Sequence, residues 1–335
     1  MDDVKRKKIL QRVVKSNYTD LPSSVPYSYV PIDHRLIHVG DKIEFNIFIN
    51  DYLTHMSLFL QSDTVVDDDI KRSLNEVEKL YIERGDKDKY ESLIEEKLQY
   101  VVENSSLSLE EKVDIIYSST SELTNSLYQN PNALENVQRS KNIVEPILQS
   151  IIYDENAIKS FIKIIEYDYY THTHSLNVSI YSLCLGSELG LEKKKLNALG
   201  RAALLHDLGK SSIDLSILNK MGRLSEFEFD EMKRHPSLGY EIALNLGIKD
   251  RNILDGIRHH HEKLDGMGYP DGLSGDEITI FPRIIGICDV FDALTTQRSY
   301  KQALRSYDAI FLMKTHMHTH LDMKIVDRFI KMLHE

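Results

Sequence analysis

The chain has 335 residues, 41% of them hydrophobic and 28% charged, which is enough for two domains that each bury a core. Its formal net charge of −11 disfavours the broad basic surface that nucleic acids and anionic membranes attract, so we expect no nucleic-acid partner. No apolar run approaches the roughly 18 residues of a membrane span, and no stretch of signal-peptide length follows the first basic residues. We therefore expect no membrane span and a cytoplasmic protein.

The first third of the chain divides into an arm and a small domain. Residues 1–24 are polar and irregular and predict a mobile arm. Residues 25–65 contain alternating or apolar stretches such as KIEFNIFI, which are typical of strands, and residues 70–102 have helical spacing. The apolar face of this predicted helix comprises Leu74, Val77, Leu80 and Tyr81. We expect a small α+β domain with a regulatory role over residues 25–105.

Residues 106–160 predict a helical connector. The segments LEEKVDIIY and VQRSKNIVEPILQSII place apolar residues on one face and charges on the other. Such faces suit either packing against the neighbouring domain or dimerisation, and both alternatives stay open. A homodimer is therefore one assembly to test.

Residues 161–335 have the pattern of an all-α domain. Gly190 and Gly209 follow apolar helical runs and are expected to end helices. Ser225 and Glu228 have the spacing of a capping box, and Pro236 suits the first turn of the next helix. The expected fold class is mainly α, with a C-terminal all-α helical bundle preceded by a small α+β N-terminal domain.

Residues with coordinating side chains are concentrated in the second half, where eleven of the 14 histidines follow residue 170. Cys184 and Cys288 lie in apolar segments, which argues against a disulfide framework and against a thiolate metal site. Each histidine by itself is more simply explained by packing or solvation. Their combination with carboxylates is more informative than any one of them.

The candidate metal ligands are all nitrogen or oxygen donors. They comprise the adjacent pair His206 and Asp207, the separate His235, the pair His260 and His261, and Asp289. Imidazole and carboxylate suit Fe, Mn, Zn or Co. Neighbouring residues on a helix diverge by about 100°, so a His-His pair reaches two ions more readily than it chelates one. A bridging carboxylate would complete a two-metal centre, which is the usual arrangement for phosphoester hydrolysis.

Five motifs occur in a fixed order in the second half of the chain. They are DYYTHTHS at 168–175, HDLGK at 206–210, HPSLGY at 235–240, HHEKLDGMGYP at 260–270 and DVFDALTTQRSYK at 289–301. This ordered set resembles the HD-GYP family, a group of bacterial phosphodiesterases within the HD hydrolase superfamily. The resemblance covers about residues 160–335.

The resemblance implies a set of metal ligands and two catalytic residues. The implied ligands are His174, His206, Asp207, His235, His260, His261 and Asp289. Asp207 would bridge two divalent ions, for which iron is the expected metal and manganese the alternative. Lys210 would hydrogen-bond the attacking water or a phosphate oxygen. Tyr170 stands where a glutamate accompanies a third ion in some members, so we expect a binuclear centre.

The resemblance also implies how substrate is held. Arg298 and Lys301 match the basic positions that bind the substrate phosphate, and solvation at a helix end is their competing role. Ser299 departs from the usual proline between them, which removes some rigidity from this turn.

The loop around the Gly-Tyr-Pro motif has two competing interpretations. Gly266 and Gly268 permit unusual backbone conformations, and Tyr269 could contact substrate or act as a structural plug. In the family this loop is linked to docking of cyclic-dinucleotide synthase domains. Packing or surface roles are expected for five other histidines of this half, namely His172, His259, His316, His318 and His320.

The implied activity is hydrolysis of cyclic di-GMP to linear pGpG, with onward cleavage to GMP as an open extension. Two alternatives remain. One is a phosphodiesterase for another cyclic dinucleotide such as cyclic GMP-AMP. The other is a metal-bearing nucleotide receptor or scaffold with little turnover.

Overall fold

The computed structural model describes residues 28–51, 55–167, 173–296 and 303–334. The predicted arm at 1–24 and the residues Tyr170, Arg298, Ser299 and Lys301 lie outside the described residues. The chain forms two compact units that divide between Asn104 and Ser105. Within the described ranges, no helix is long and apolar enough to cross a membrane.

The described part of the N-terminal unit contains a four-stranded antiparallel sheet, a two-stranded ribbon and two helices. The sheet has the order β1-β6-β3-β4, and the ribbon pairs β2 with β5. The strands are β1 Tyr29–Ile32, β2 Lys42–Ile43, β3 Ile47–Asp51, β4 His55–Leu60, β5 Thr64–Val65 and β6 Leu80–Glu83. The helices are α1 Asp68–Asn75 and α2 Lys87–Glu103.

Helix α2 buries one face in the core of this unit. Tyr90, Ile94 and Leu98 are buried at intervals of four residues, as on one side of an α-helix. The Tyr90 hydroxyl accepts a hydrogen bond of 2.7 Å from the Asp33 backbone N–H. The hydroxyl therefore ties the chain after β1 to the helix.

The prediction of helical structure over residues 70–102 is wrong for the middle of this segment. Leu80–Glu83 form strand β6, which pairs with both β1 and β3. Because β6 is an inner strand, Leu80, Tyr81 and Ile82 are all buried in succession, without the alternation of a half-exposed strand. The spacing of Leu74, Val77, Leu80 and Tyr81 is the same as on one face of a helix, which explains the wrong prediction.

The C-terminal unit is a bundle of helices, with short 3₁₀ turns at 208–212 and 275–277 in two of the connections between described helices. In the order of the chain they are α3 Leu109–Gln129, α4 Asn136–Tyr153, α5 Asn156–Tyr167, α6 His174–Glu188, α7 Lys193–Leu205, α8 Leu215–Leu218, α9 Glu226–Met232, α10 His235–Asn245, α11 Arg251–His259, α12 Ile280–Thr295, α13 Ser306–His316 and α14 Met323–His334. The mainly helical fold with a small α+β N-terminal part is thus confirmed.

Helix α6 lies at the centre of this bundle. Every residue from 175 to 186 is buried, as expected of a helix that is covered on all sides. It packs against α7 and α12, and α3 and α4 also contact it. The helices predicted as a connector therefore pack in the same compact unit as the histidine-bearing helices.

The predicted helix boundaries are confirmed at three of four sites, one of which is Pro236 in the first turn of α10. Gly190 follows α6 with a φ of 76°, a conformation that favours glycine. Ser225 and Glu228 form the reciprocal hydrogen bonds of a capping box at α9.

Gly209 does not end a helix by a left-handed conformation. It lies in the 3₁₀ turn 208–212, and a Cβ there would come within 2.0 Å of the His235 carbonyl oxygen and 2.4 Å of the Gly239 nitrogen. A glycine is required because the turn after His206 and Asp207 touches the backbone of α10.

We predict that Gly209→Ala lowers the stability of the protein by about 1–3 kcal/mol, because the added methyl must push α10 away from the 208–212 turn. Calorimetric unfolding measures the change. Gly85→Ala is the matched control, since a Cβ at Gly85 meets nothing within 4 Å. It should alter stability by less than about 0.5 kcal/mol. A Gly209→Ala protein as stable as the control would contradict the close approach.

Candidate metal centre

The cluster of histidines and carboxylates forms where the ends of several helices meet. His174 begins α6 and His235 begins α10. The pair His206 and Asp207 follows the end of α7, and the pair His260 and His261 follows the end of α11. Asp289 lies inside α12. Rigid helices therefore hold all seven predicted ligands.

The cluster contains two groups of donor atoms. Within each group the donor atoms lie within 4.8 Å of one another. One group comprises His174, His206 and Asp207, and the other comprises His235, His260 and His261.

Asp207 lies between the two groups. Its Oδ2 is 3.3 Å from His206 Nε2, and its Oδ1 is 3.3 Å from His235 Nε2. Asp289 has a similar position, with Oδ1 3.1 Å from His174 Nε2 and Oδ2 3.9 Å from His261 Nδ1. Each carboxylate thus directs one oxygen toward each group.

Backbone carbonyls fix the orientation of three imidazoles. The Nδ1–H groups of His206, His235 and His260 donate to the carbonyl three residues earlier, at 2.7, 2.8 and 2.8 Å. The accepting carbonyls belong to Ala203, Met232 and Ile257. All three carbonyls lie in the last turn of a helix, where intrahelical donors are lacking. The proton is therefore on Nδ1, and the lone pair of Nε2 faces the cluster.

A buried carboxylate orients His174 in the same manner. His174 Nδ1 is 2.6 Å from Asp292 Oδ2, and Asp292 is fully buried. The other oxygen of Asp292 accepts from Asn177 Nδ2 at 3.1 Å. The sequence analysis did not identify Asp292 as a site residue, although it lies three residues after Asp289 and hence on a neighbouring part of the helix surface.

Burial keeps the imidazoles of the second group neutral. It lowers the pKa of His261 to about 3, and it lowers the pKa of His235 below its usual value. Burial and the nearby His261 hold the pKa of His260 well below its usual range. Neutral imidazole is the form that binds metals.

The carboxylates are held in their ionised form. Burial opposes ionisation of Asp207, but His206 and Lys210 keep the pKa of that carboxyl well below its usual range. Burial likewise opposes ionisation of Asp289, but the nearby His174, whose Nε2 is 3.1 Å from Asp289 Oδ1, keeps the pKa of this carboxyl well below its usual range. Burial disfavours a charged His174, whereas Asp289 and Asp292 together raise its pKa to about 9. A cation at Nε2 would take the place of that proton.

The polar atoms of the cluster fit a cation. Among the described residues, His174 Nε2, His206 Nε2 and Asp207 Oδ1 are buried without a hydrogen-bond partner. In addition, His235 Nε2 and His260 Nε2 are 3.2 Å apart. Since both rings donate through Nδ1, two lone pairs face each other there with no proton between them. Divalent ions would satisfy all of these atoms, and the nitrogen and oxygen donors suit transition metals.

Lys210 and Tyr269 lie beside the cluster. Lys210 Nζ is 2.6 Å from Asp207 Oδ2, and the side chain remains 31% exposed. The Tyr269 ring is 4.8 Å from the His261 ring, at an angle of 34° between their planes. Burial raises the pKa of Tyr269, so its phenol stays neutral.

Glu262 shapes the loop that presents Tyr269. Its Oε1 accepts from the N–H groups of Asp271 and Gly272 at 2.7 and 3.0 Å, and its Oε2 accepts from Leu273 N–H at 3.0 Å. The loop is thereby folded around one buried carboxylate. The sequence analysis had given Glu262 no role.

The two glycines of this loop are required for different reasons. Gly266 has a φ of 78°, which favours glycine as predicted. Gly268 has no left-handed conformation, and a Cβ there would lie 2.4 Å from Glu262 Cα. Gly268 therefore serves a close approach of two backbones.

His259 points away from the cluster and ties the loop to α11. Its Nδ1 is 2.6 Å from Asp255 Oδ1, and its Nε2 is 2.8 Å from Asp271 Oδ2. Arg258 also donates two hydrogen bonds of 2.8 Å to Asp271. The packing role expected for His259 is confirmed.

Comparisons with known proteins agree with this geometry. A family model described as an HD domain matches residues 159–325. A cyclic di-GMP phosphodiesterase of Pseudomonas aeruginosa is 34% identical over 192 residues, 57% of this chain and 46% of the relative. A 3′3′-cGAMP-specific phosphodiesterase of Vibrio cholerae is 34% identical over 245 residues, 69% of this chain and 51% of the relative. The chain thus spans about half the length of these two curated relatives.

A solved structure has a similar fold. It is that of an HDG"Y"P protein from Bdellovibrio bacteriovorus, with a TM-score of 0.65 over 92% of this chain and 100% of the other. At 21% identity, this likeness concerns the fold. With the HD domain match over residues 159–325 and the five ordered motifs, the chain belongs to the HD-GYP family.

Proposed function

We propose that the protein is a metal-dependent phosphodiesterase that hydrolyses cyclic di-GMP to linear pGpG and then cleaves pGpG to GMP. The observation that carries the proposal is the position of Asp207, whose two oxygens face two separate groups of imidazoles. The curated relative in Pseudomonas aeruginosa bears the name of this activity.

The proposed ligands are the seven residues predicted from the sequence. They are His174, His206, Asp207, His235, His260, His261 and Asp289. We propose two divalent ions, with iron as the metal and manganese as the alternative. Such a pair lowers the pKa of a bound water and offsets charge on the phosphoryl group.

The side chains around the cluster have separate tasks in the proposed reaction. Hydrolysis adds the hydroxyl of water to phosphorus and breaks the bond to the 3′-oxygen, which leaves a 5′-phosphate and a 3′-hydroxyl. Lys210, whose ammonium group lies beside Asp207, is suited to donate a hydrogen bond to the attacking water or to a phosphate oxygen. Asp207 and Lys210 are therefore the proposed catalytic residues.

Substrate binding is assigned to three further positions. Tyr269 presents a neutral aromatic ring beside His261, which is suited to contact a base of the substrate. Arg298 and Lys301, which lie outside the described residues, would bind phosphate through a forked guanidinium and a compact ammonium.

The proposal includes partners and a setting. Met267, in the loop that carries Tyr269, is 75% exposed, so a synthase domain could dock there. Tyr153 at the end of α4 is 68% exposed and could lie in a homodimer interface. We place the activity in the cytoplasm.

A different substrate is the main alternative. The relative in Vibrio cholerae bears the name of a phosphodiesterase specific for 3′3′-cGAMP. Incubation of the manganese- or iron-loaded protein with each dinucleotide, followed by chromatography of products, separates the two. We expect pGpG to appear first from cyclic di-GMP, at a higher kcat/KM than any product from cyclic GMP-AMP. A preference for cyclic GMP-AMP would replace the proposed substrate, and no turnover of either would favour a receptor or scaffold.

We predict that Asp207→Ala lowers hydrolysis at least about 100-fold and reduces bound metal, because it removes the carboxylate between the two groups. Losing a residue that merely supports a ligand already costs about 10–100-fold. Elemental analysis and a turnover assay measure the two effects, and circular dichroism checks that the helices persist. His316→Ala serves as the control, since His316 is exposed and lies outside the two groups. Near-normal turnover of Asp207→Ala would refute the two-metal mechanism.

A second variant separates substrate binding from metal binding. Arg298→Ala should raise KM or lower kcat/KM about tenfold or more, since a charge-assisted contact to phosphate contributes roughly 1.5–3 kcal/mol. Its metal content should equal that of the unmodified protein. Loss of metal with an unchanged KM would show that Arg298 supports the metal centre instead.

A further inference from the structure

Helix α3 lies outside the segment matched by the HD domain family, yet it contacts two helices that carry proposed metal ligands. The family match begins at residue 159, whereas α3 spans Leu109–Gln129. Two tyrosines of α3 send their hydroxyl groups into the bundle. One hydroxyl is connected to His174 through two intervening side chains, and the other binds the carbonyl two residues before His206.

Tyr117 begins a chain of hydrogen bonds that ends on His174. Its hydroxyl donates to Asn177 Oδ1 at 2.9 Å, and Asn177 Nδ2 donates to Asp292 Oδ1 at 3.1 Å. Asp292 Oδ2 accepts from His174 Nδ1 at 2.6 Å. Asn177 and Asp292 are both fully buried, so water does not offer them alternative partners. The Tyr117 hydroxyl orients the Asn177 amide together with a weaker contact of Asn177 Nδ2 to Thr173 Oγ1 at 3.5 Å, and the amide in turn holds Asp292.

Tyr128 holds the end of the helix that leads into His206 and Asp207. Its hydroxyl donates to the Leu204 carbonyl at 2.8 Å. Leu204 lies in the last turn of α7, where carbonyls lack intrahelical donors. Burial and the nearby charge of Asp207 raise the pKa of Tyr128, so the hydroxyl remains a donor. The two ligands follow within three residues of this bond.

The spacing of the two tyrosines places both hydroxyls on one face of α3. Residues 117 and 128 are about three full turns apart, since each residue rotates the helix by about 100°. One face therefore reaches both α6, which begins with His174, and α7, which precedes His206. A single rigid helix supports two of the proposed ligand-bearing elements.

We propose that Tyr117 and Tyr128 are positioning residues of the metal centre, through Asn177 and Asp292 to His174 and through Leu204 to His206 and Asp207. The inference rests on the proposed metal centre and not on its substrate. Five residues separate the end of α2 of the N-terminal unit at residue 103 from the start of α3 at residue 109. The site is thus supported by the helix through which the chain enters the C-terminal unit.

The test is a titration of metal-free protein with Co²⁺ alone, followed by its visible absorption. Tyr117→Phe and Tyr128→Phe keep the rings and remove the hydroxyls. Each should weaken Co²⁺ binding about tenfold or more and alter the absorption band, because loss of an outer partner of a ligand costs about 10–100-fold in metal affinity. The double variant should be weaker than either. For Tyr117→Phe, restoring saturating metal should recover most of kcat with little change in KM.

Tyr90→Phe is the matched control, since its buried hydroxyl also makes a long-range hydrogen bond but lies in the N-terminal unit. It should bind Co²⁺ like the unmodified protein, with a thermal midpoint lowered as much as in the other variants. The inference is overturned if both α3 variants bind Co²⁺ within twofold of the unmodified protein, or if Tyr90→Phe weakens binding equally. If the unmodified protein binds Co²⁺ but hydrolyses neither dinucleotide, the proposed function is overturned. The Co²⁺ titration of the variants then still tests the role of the two tyrosines.

Discussion

The C-terminal unit depends on a set of buried donor atoms that cannot satisfy one another. His235 Nε2 and His260 Nε2 face each other at 3.2 Å. Each of these nitrogens carries a lone pair and no proton, because the proton of each ring is on Nδ1. Asp207 adds a buried carboxylate with an unpartnered oxygen. Burying these groups together without a cation makes folding less favourable. A bound cation would satisfy them and make their proximity favourable. The helices that begin or end at these residues hold the groups in place.

The ends of three helices orient the imidazole rings of the cluster. Three carbonyls in the last turns of helices, where few intrahelical donors remain, accept the Nδ1–H of three imidazoles. One bond therefore completes the helix and directs the ligand. For His174, which begins its helix, the partner of Nδ1 is the buried carboxylate of Asp292. The same principle extends outward, since Tyr128 completes α7 and Tyr117 supports Asp292 through Asn177.

Much of the site could be predicted from the sequence, because the five motifs contain all seven side chains of the cluster and occur in a characteristic order. The seven predicted ligands do lie in one cluster. Asp292 and Tyr117 could not be found in this way. They support His174 through tertiary hydrogen bonds, which no sequence motif shows. Gly209 and Gly268 were singled out from the sequence, but for the wrong reason. Each allows two backbones to approach closely, and the sequence alone does not distinguish such a glycine from one in a left-handed turn. Strand β6 was missed because burial on both faces removes the alternation by which strands are recognised.

The central claim is that these seven side chains hold two divalent ions with Asp207 between them. Anomalous scattering at the manganese edge, from crystals of protein loaded with Mn²⁺, tests it most directly. The account predicts two ions per chain, about 3.5–4 Å apart, one beside His174 and His206 and the other beside His235, His260 and His261. A single ion, a third well-occupied ion or ions bound away from Asp207 would contradict it.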